Sequence, residues 1–239
     1  MPEIKAWLAL CRVSNLPTVW MNVLAAAALA SGAVGAPFPV FSGLLLLLAM
    51  SCFYTGGMAF NDYCDRHWDA QHQPYRPIPA GKVTAKQALF ISLLLFALGV
   101  LMLTFVPHRH GLIAGIGLLT LIVAYDLFHK QHWLTVVLMA GARLGVYLVT
   151  SYALTGSLIT SVWMLGLIQC GWTLLVTAVA RLEHRFPQGY PFPVIPWMLA
   201  AMGLVDGLVL AVLLSPLWLV AGVVTLVLTR WGQKYVRGD

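Results

Sequence analysis

Long apolar runs, separated by short polar or proline- and glycine-containing breaks, occupy most of the chain. They predict eight hydrophobic helices, at about 15–36, 39–61, 85–106, 110–127, 132–154, 159–180, 192–214 and 216–231. A membrane span needs roughly 20 predominantly apolar residues, and most of these runs meet that length. The fourth is short, and little more than Ser215-Pro216 separates the last two. Ahead of the first run, Pro2 to Ser14 carries Trp7, Leu8, Leu10 and Val13, a pattern expected of a helix lying in the membrane interface. The fold class is therefore all-α, a multi-span transmembrane bundle of about eight helices forming one domain over residues 1–239.

Composition agrees with the pattern. Hydrophobic residues make up 60% of the chain and charged residues 9%, with a mean hydropathy of +0.85, whereas a soluble domain carries about 25% charged residues. No cleavable leader is expected, because the first apolar stretch after Lys5 is short and Arg12 interrupts it. The four cysteines, Cys11, Cys52, Cys64 and Cys170, have no metal-ligand spacing and no evident pairing. Cys52 and Cys170 lie inside apolar stretches and read as buried thiols.

The basic residues fix an orientation. Lys5 and Arg12 precede the first run; Arg66, Arg76, Lys82 and Lys86 fall between the second and third. Lys130 follows the fourth, Arg181 and Arg185 follow the sixth, and Arg230, Lys234 and Arg237 end the chain. Of the 14 Lys and Arg residues, Arg109 alone lies on the other side, and Arg143 lies within a run. The positive-inside rule makes the basic side, with both termini, cytoplasmic, the expected setting being a bacterial inner membrane. The net charge of +6 then expresses topology, and no nucleic-acid partner is expected.

Candidate chemistry collects on that side. Asn61-Asp62-Tyr63-Cys64-Asp65-Arg66-His67-Trp68-Asp69 directly follows an apolar run, and Asp62, Asp65 and Asp69 stand at i, i+3 and i+7, one face of a helix. Three carboxylates on one stripe repel one another, and at a helix C-terminus they also meet the negative pole of its dipole. A cationic partner is required. The segment from Asp62 to Lys86 reads as the longest cytoplasmic loop; it contains Arg76-Pro77-Ile78-Pro79-Ala80-Gly81, and Tyr125-Asp126 with Lys130 opens the next loop. Acids beside bases at a membrane face suit a Mg2+-bridged diphosphate, because Mg2+ takes one or two carboxylates and fills its shell with water and phosphate oxygens. Arg and Lys neutralise the remaining phosphate charge. The competing reading is a solvated loop whose acids pair with Arg66 and Arg76.

Asn61-Asp62-x-x-Asp65-x-x-x-Asp69 followed by Arg76-Pro77-Ile78-Pro79-x-Gly81 resembles the first aspartate-rich motif of the UbiA superfamily of intramembrane prenyltransferases. Tyr125-Asp126-x-x-x-Lys130 resembles that family's Tyr-x-x-x-x-Lys element, and Arg12-Val13-Ser14-Asn15-Leu16-Pro17-Thr18 with Asn22 resembles its first helix. Met139-Ala140-Gly141-Ala142-Arg143 is similar to the EboC-like branch. The resemblance implies a helical bundle around a cavity open to the membrane. It also implies transfer of a prenyl group from an isoprenoid diphosphate to a small hydrophobic or aromatic acceptor, with Mg2+ as cofactor and membrane lipid as surroundings. Asp62, Asp65 and Asp69 would be catalytic and, with Asn61 and Glu183, would hold metal. Asn61, Arg66, Arg76, Tyr125, Lys130, Arg143, Arg181 and Arg185 would bind substrate.

One departure is plain. Where the family carries a second aspartate-rich motif, this chain reads Ala178-Val179-Ala180-Arg181-Leu182-Glu183-His184-Arg185, with Glu183 as its acid. Either Glu183 completes a reduced metal site, or Arg181 and Arg185 bind phosphate in place of one metal, or catalysis has been lost and a prenyl-lipid-binding scaffold remains. A ninth span, usual in the family, is not evident. Within the runs, Arg143 should face a cavity or an acid, Asp206 reads as a helix-packing partner, and the Gly56-Gly57 pair reads as a close helix contact. His67, His72, His129, His132 and His184 show no zinc spacing and read as solvated loop residues. A transporter would also bury acids and an arginine, but the broken helices in matching halves expected of one are not evident.

Overall fold

In a computed structural model, residues 4–129, 135–183 and 190–236 are described. Among them are nine α-helices: α1 (Ile4–Leu10), α2 (Leu16–Ala33), α3 (Val40–His72), α4 (Ala85–Leu103), α5 (Arg109–Phe128), α6 (Val136–Thr155), α7 (Thr160–Glu183), α8 (Val194–Leu213) and α9 (Leu217–Tyr235). Eight of them match the eight predicted runs. Seven are long and apolar enough to cross a membrane, making this a multi-pass integral membrane protein. α9 is left out of that set; Thr229, Arg230, Gln233 and Lys234 fill its C-terminal half.

α2 is the hub of the bundle and packs on α3, α6, α7, α8 and α9. The physical reason lies in its sequence: Ala25 to Ala28 and Ala30 are buried, and small side chains allow neighbouring backbones to approach where lipid removes any hydrophobic drive between helices. Around it, α3 pairs with α4, α5 with α6, α6 with α7 and α8 with α9. The expected contact at Gly56 is present, since a Cβ there would lie 2.9 Å from the Phe96 ring. At the α8–α9 crossing the approach is closer still. A Cβ on Gly207 would sit 2.8 Å from both the Cα of Gly222 and the carbonyl oxygen of Trp218, neither of which can move aside. Gly207→Val should therefore lower stability by about 1–3 kcal/mol, an overpacking cost, measured as a fall in thermal unfolding temperature in detergent; an unchanged midpoint would mean that the crossing is looser than it looks.

α3 differs from expectation. It was expected to end near residue 61 and to release the acids into a loop, yet it continues to His72. No Gly or Pro interrupts the chain between Met58 and Gln73, and Pro74 then disfavours helical backbone at Gln73, which leaves the helix at φ −138°. At 1.5 Å per residue, its 33 residues span about 50 Å, against about 30 Å of hydrocarbon. The acid stripe rides on the length that a membrane does not need.

In the N-terminal segment, α1 packs Ala6 and Leu10 against Ala59 of α3, Val83 of the loop that follows it and Ala88 of α4, and leaves Ile4 and Leu8 exposed. Cys52 and Cys170 are free and only half-buried, because on a transmembrane helix an apolar thiol can face hydrocarbon as readily as a core.

Candidate active site at the end of the central cavity

Asp62, Asp65 and Asp69 are all buried on the inner face of α3, where the i, i+3, i+7 spacing places them. Each meets a basic side chain, as the repulsion among them leads one to expect. Arg76 Nη1 donates to Asp69 Oδ2 at 2.9 Å and to Asp62 Oδ1 at 3.2 Å. The loop after α3 makes this possible by folding back. The Ala80 amide donates to the Arg76 carbonyl, the Lys82 and Val83 amides donate to the Pro77 carbonyl, and Gly81 sits at φ +70°, in the left-handed region. Thr84 then starts α4 with a capping box closed by Gln87.

Asp62 Oδ1 also accepts from Arg12 Nη2 at 3.2 Å, while Arg12 Nη1 lies 3.3 Å from the sulfur of Met58. Arg12 is the one non-glycine residue with positive φ among those described (φ 45°, ψ 45°). Such a conformation costs on the order of 1–3 kcal/mol. It turns the chain between α1 and the short 3-10 turn Val13–Asn15 and delivers the guanidinium into the bundle. Beside it, the Cys11 thiol is pushed up to about 11 by burial and by the Asp62 charge, so it stays protonated at neutral pH.

Asp65 meets His129 instead, with Nε2 at 3.1 Å from Oδ2. The other ring nitrogen, Nδ1, lies 3.2 Å from the Asp126 carbonyl oxygen. Both nitrogens thus face acceptors, an arrangement that imidazolium satisfies and neutral imidazole does not. The C-terminus of α5 favours that charge, and Tyr125 stacks on the ring at 5.0 Å between centroids. His129 was expected as a solvated loop residue; it is instead a third basic partner of the acid stripe. Asn61 Nδ2 donates to Asp126 Oδ1 at 3.1 Å and ties α3 to α5.

Among the described residues, two carboxylate oxygens are left over. Asp69 Oδ1 and Asp126 Oδ2 are buried without a hydrogen-bond partner, although a buried acceptor left unsatisfied costs about 1–3 kcal/mol. Both are hard oxygen donors of the kind Mg2+ takes. Among the described residues no group of three or more His, Cys, Asp or Glu side chains is gathered closely enough to hold a metal unaided.

Beside the acid stripe lies a cavity of about 430 Å³, whose lining includes Arg12, Asn61 and Asp126 but not Asp62, Asp65, Asp69 or Arg76. Arg12, Asn61, Tyr125 and Asp126 line its mouth. Met50, Phe53, Tyr54, Leu118, Ile122 and Val146 supply much of its apolar wall, and Arg143 stands in that wall as a mid-span cation.

The other sequence-predicted residues scatter. Arg66 turns back onto its own helix, donating to the Tyr63 carbonyl at 2.7 Å with the guanidinium 4.5 Å from the Tyr63 ring. Glu183 accepts a 3.3 Å bond from the Tyr190 amide and does not line the cavity, whereas Ala180 one turn earlier does. Arg181 lies within electrostatic range of Tyr125. Lys130, Arg185, His132 and His184 fall outside the described residues. Asp206, expected as a packing partner, anchors a fully buried hydrogen-bonded network with Asn22, Tyr147 and Gln169. The signal that could have found it was polar residues in four different apolar runs.

A sequence profile of the UbiA prenyltransferase family matches residues 19–235. The chain belongs to that family. Among other members, it is 41% identical over 101 residues to the digeranylgeranylglyceryl phosphate synthase of Methanosarcina barkeri, covering 42% of this chain and 35% of that one. It is 30% identical over 155 residues to the protoheme IX farnesyltransferase of Bacillus pumilus (62% and 50%). It is 30% identical over 187 residues to the 4-hydroxybenzoate octaprenyltransferase of Pectobacterium carotovorum (70% and 60%). These matched stretches span between about a third and two thirds of the relatives' own lengths. A solved structure described as giving insight into digeranylgeranylglyceryl phosphate synthase in membranes superposes on 98% of this UbiA-family chain and 95% of its own, with a TM-score of 0.62 at 17% identity, a likeness of fold.

Proposed function

We propose that this chain transfers a prenyl group from an isoprenoid diphosphate to a small hydrophobic or aromatic acceptor inside the membrane, at the cytoplasmic end of the bundle. The observation that carries the reading is an apolar cavity lined at one end by Arg12, Asn61 and Asp126, with Arg12 bonded to Asp62 and so linking the cavity to the acid stripe beside it. A prenyl diphosphate has that same division, a long hydrocarbon joined to a dense negative charge. Family membership supports the reaction class.

Asn61, Asp62, Asp65 and Asp69 are assigned to the metal end, with the orphaned oxygens of Asp69 and Asp126 as the vacant acceptors. Mg2+ bound there would supply Lewis-acid stabilisation of the departing diphosphate. Arg12 and Arg76 already stand at the acids and would meet phosphate oxygens by charge-assisted bonds; Lys130, Arg181 and Arg185 are assigned the same duty. As the allylic carbon–oxygen bond breaks, the carbon becomes cation-like. The apolar wall keeps water from it, and the Phe53 and Tyr54 rings offer π-faces toward it. The acceptor's nucleophilic atom then forms the new bond and loses its proton. Glu183 is not needed in this scheme, its carboxylate being engaged with the Tyr190 amide.

Calorimetric titration of geranylgeranyl diphosphate into purified protein, with and without Mg2+, tests this. Binding should tighten by about tenfold or more with Mg2+, the scale of a charge-assisted contact, while the uncharged prenyl alcohol binds equally in both. Metal-independent binding of diphosphate and alcohol alike would favour a non-catalytic lipid-binding protein. As a second check, Glu183→Gln should leave the Mg2+ concentration needed for activity unchanged; a clear rise would return Glu183 to the metal end.

A further inference from the structure

Among the described residues, Arg143 has no acid in direct contact. Its Nη1 donates to Asn22 Oδ1 at 2.8 Å, and Asn22 Nδ2 donates onward to Asp206 Oδ2 at 2.7 Å and to the Tyr147 hydroxyl at 2.8 Å. Asp206 is held in turn by Tyr147, 2.7 Å from Oδ1, and by Gln169 Nε2 at 2.9 Å. All four partners of Arg143 in this chain of bonds are 0% exposed, and they come from α2, α6, α7 and α8.

The effect of this arrangement is specific. A charge inside a membrane bundle requires a counter-charge, and Asp206 supplies it at one remove. A carboxylate in direct contact would occupy the paired N–H edge of the guanidinium, which is the part that recognises a planar anion. With an amide interposed, the charge is balanced while, among the described residues, Asn22 is the guanidinium's hydrogen-bond partner and the other N–H groups are left to a cavity occupant. Arg12, beside the acid stripe, and Arg143 line the same cavity, so the two cations serve one chamber.

We infer that Arg143 is the recognition point for an anionic oxygen group on the acceptor, carboxylate or phosphate, and that Asn22 and Asp206 are the residues that position it. The inference rests on the prenyl-transfer reading for the word acceptor; anion binding at Arg143 stands apart from it. The donor's charge is taken up by the acid end, and the acceptor's by Arg143, which gives the two substrates distinct polar anchors in one apolar chamber.

The test compares charged and neutral twins in protein held in lipid nanodiscs: 4-hydroxybenzoate against 4-hydroxybenzamide, and dodecyl phosphate against dodecanol. In the wild-type chain, one charged probe should bind about tenfold or more tighter than its neutral twin, and which of the two does so tells carboxylate from phosphate. Arg143→Gln should abolish that preference while leaving geranylgeranyl diphosphate affinity unchanged. Asp206→Asn should raise the KM for the charged acceptor without raising that for the donor, a split that general destabilisation would not produce. No charge preference in the wild-type chain, a result that needs no variant to fold, overturns the inference, as does a preference that survives Arg143→Gln. Failure of geranylgeranyl diphosphate to bind, with the charge preference intact, would overturn the prenyl-transfer reading alone.

Discussion

Asp69→Asn should reduce prenyl transfer by at least about a hundredfold, the scale of removing one electrostatic stabiliser from a reacting centre, while the protein stays folded. The structure makes this substitution unusually clean. Asp69 Oδ2 is bonded to Arg76 and Oδ1 has no partner. The amide oxygen of asparagine can keep the Arg76 bond, so the loop after α3 retains its anchor. The amide nitrogen then takes the orphaned position and presents N–H donors where a buried oxygen stood. Shape and local packing are preserved, and what is lost is the negative acceptor. Turnover of a prenyl diphosphate, measured beside the thermal unfolding midpoint, checks both halves of the statement. Normal turnover would remove Asp69 from the reacting centre. A large fall in midpoint would make its role the fixing of Arg76.

Asp206→Leu should destabilise the bundle by about 3–5 kcal/mol, the cost of stripping the partner from a buried charge. The hydrogen bonds alone do not account for that figure. Interhelical bonds in a membrane protein average about 0.6 kcal/mol, so losing those from Asn22, Tyr147 and Gln169 removes about 2 kcal/mol. The remainder comes from Arg143, left as a mid-bundle cation without its counter-charge. Arg143→Leu in the same chain should therefore recover part of the loss, with a coupling of about 1 kcal/mol or more although the two side chains do not touch. Unfolding midpoints of the two single variants and the double variant form the cycle. Strict additivity would mean that Arg143 is balanced by something other than Asp206.

The spans and the acid stripe were legible because their information is local. Apolar run length alone located eight helices, and the spacing of Asp62, Asp65 and Asp69 announced a shared face and a need for cations. Arg76 was legible as one partner of the acids, but the others were not. Arg12 is 50 residues from Asp62 and His129 is 64 from Asp65, and no periodicity links them. In the sequence Arg12 counted toward topology and the resemblance of the first helix, and His129 toward loop solvation. Arg66, four residues from Asp62 and next to Asp65, looked the better partner, yet it bonds the carbonyl of Tyr63 and leaves the acids to residues from outside the helix. The Asn22–Asp206 contact spans 184 residues, and each residue taken singly was only a polar group in a greasy run. The end of α3 was misjudged for a different reason. Hydropathy marks where apolar character stops, but a helix stops where backbone chemistry ends it, here at Gln73-Pro74.

The central claim is that the acid end and the apolar cavity together perform prenyl transfer, and direct product analysis tests it. Purified protein in liposomes would be given geranylgeranyl diphosphate, 4-hydroxybenzoate or a glyceryl-phosphate ether as acceptor, and increasing Mg2+, with products resolved by mass spectrometry and released diphosphate counted. The account predicts one prenylated acceptor for each diphosphate released, both rising with Mg2+ and both absent in Asp69→Asn. Tight diphosphate binding with no product and no released diphosphate, across acceptors and Mg2+ concentrations, would contradict it.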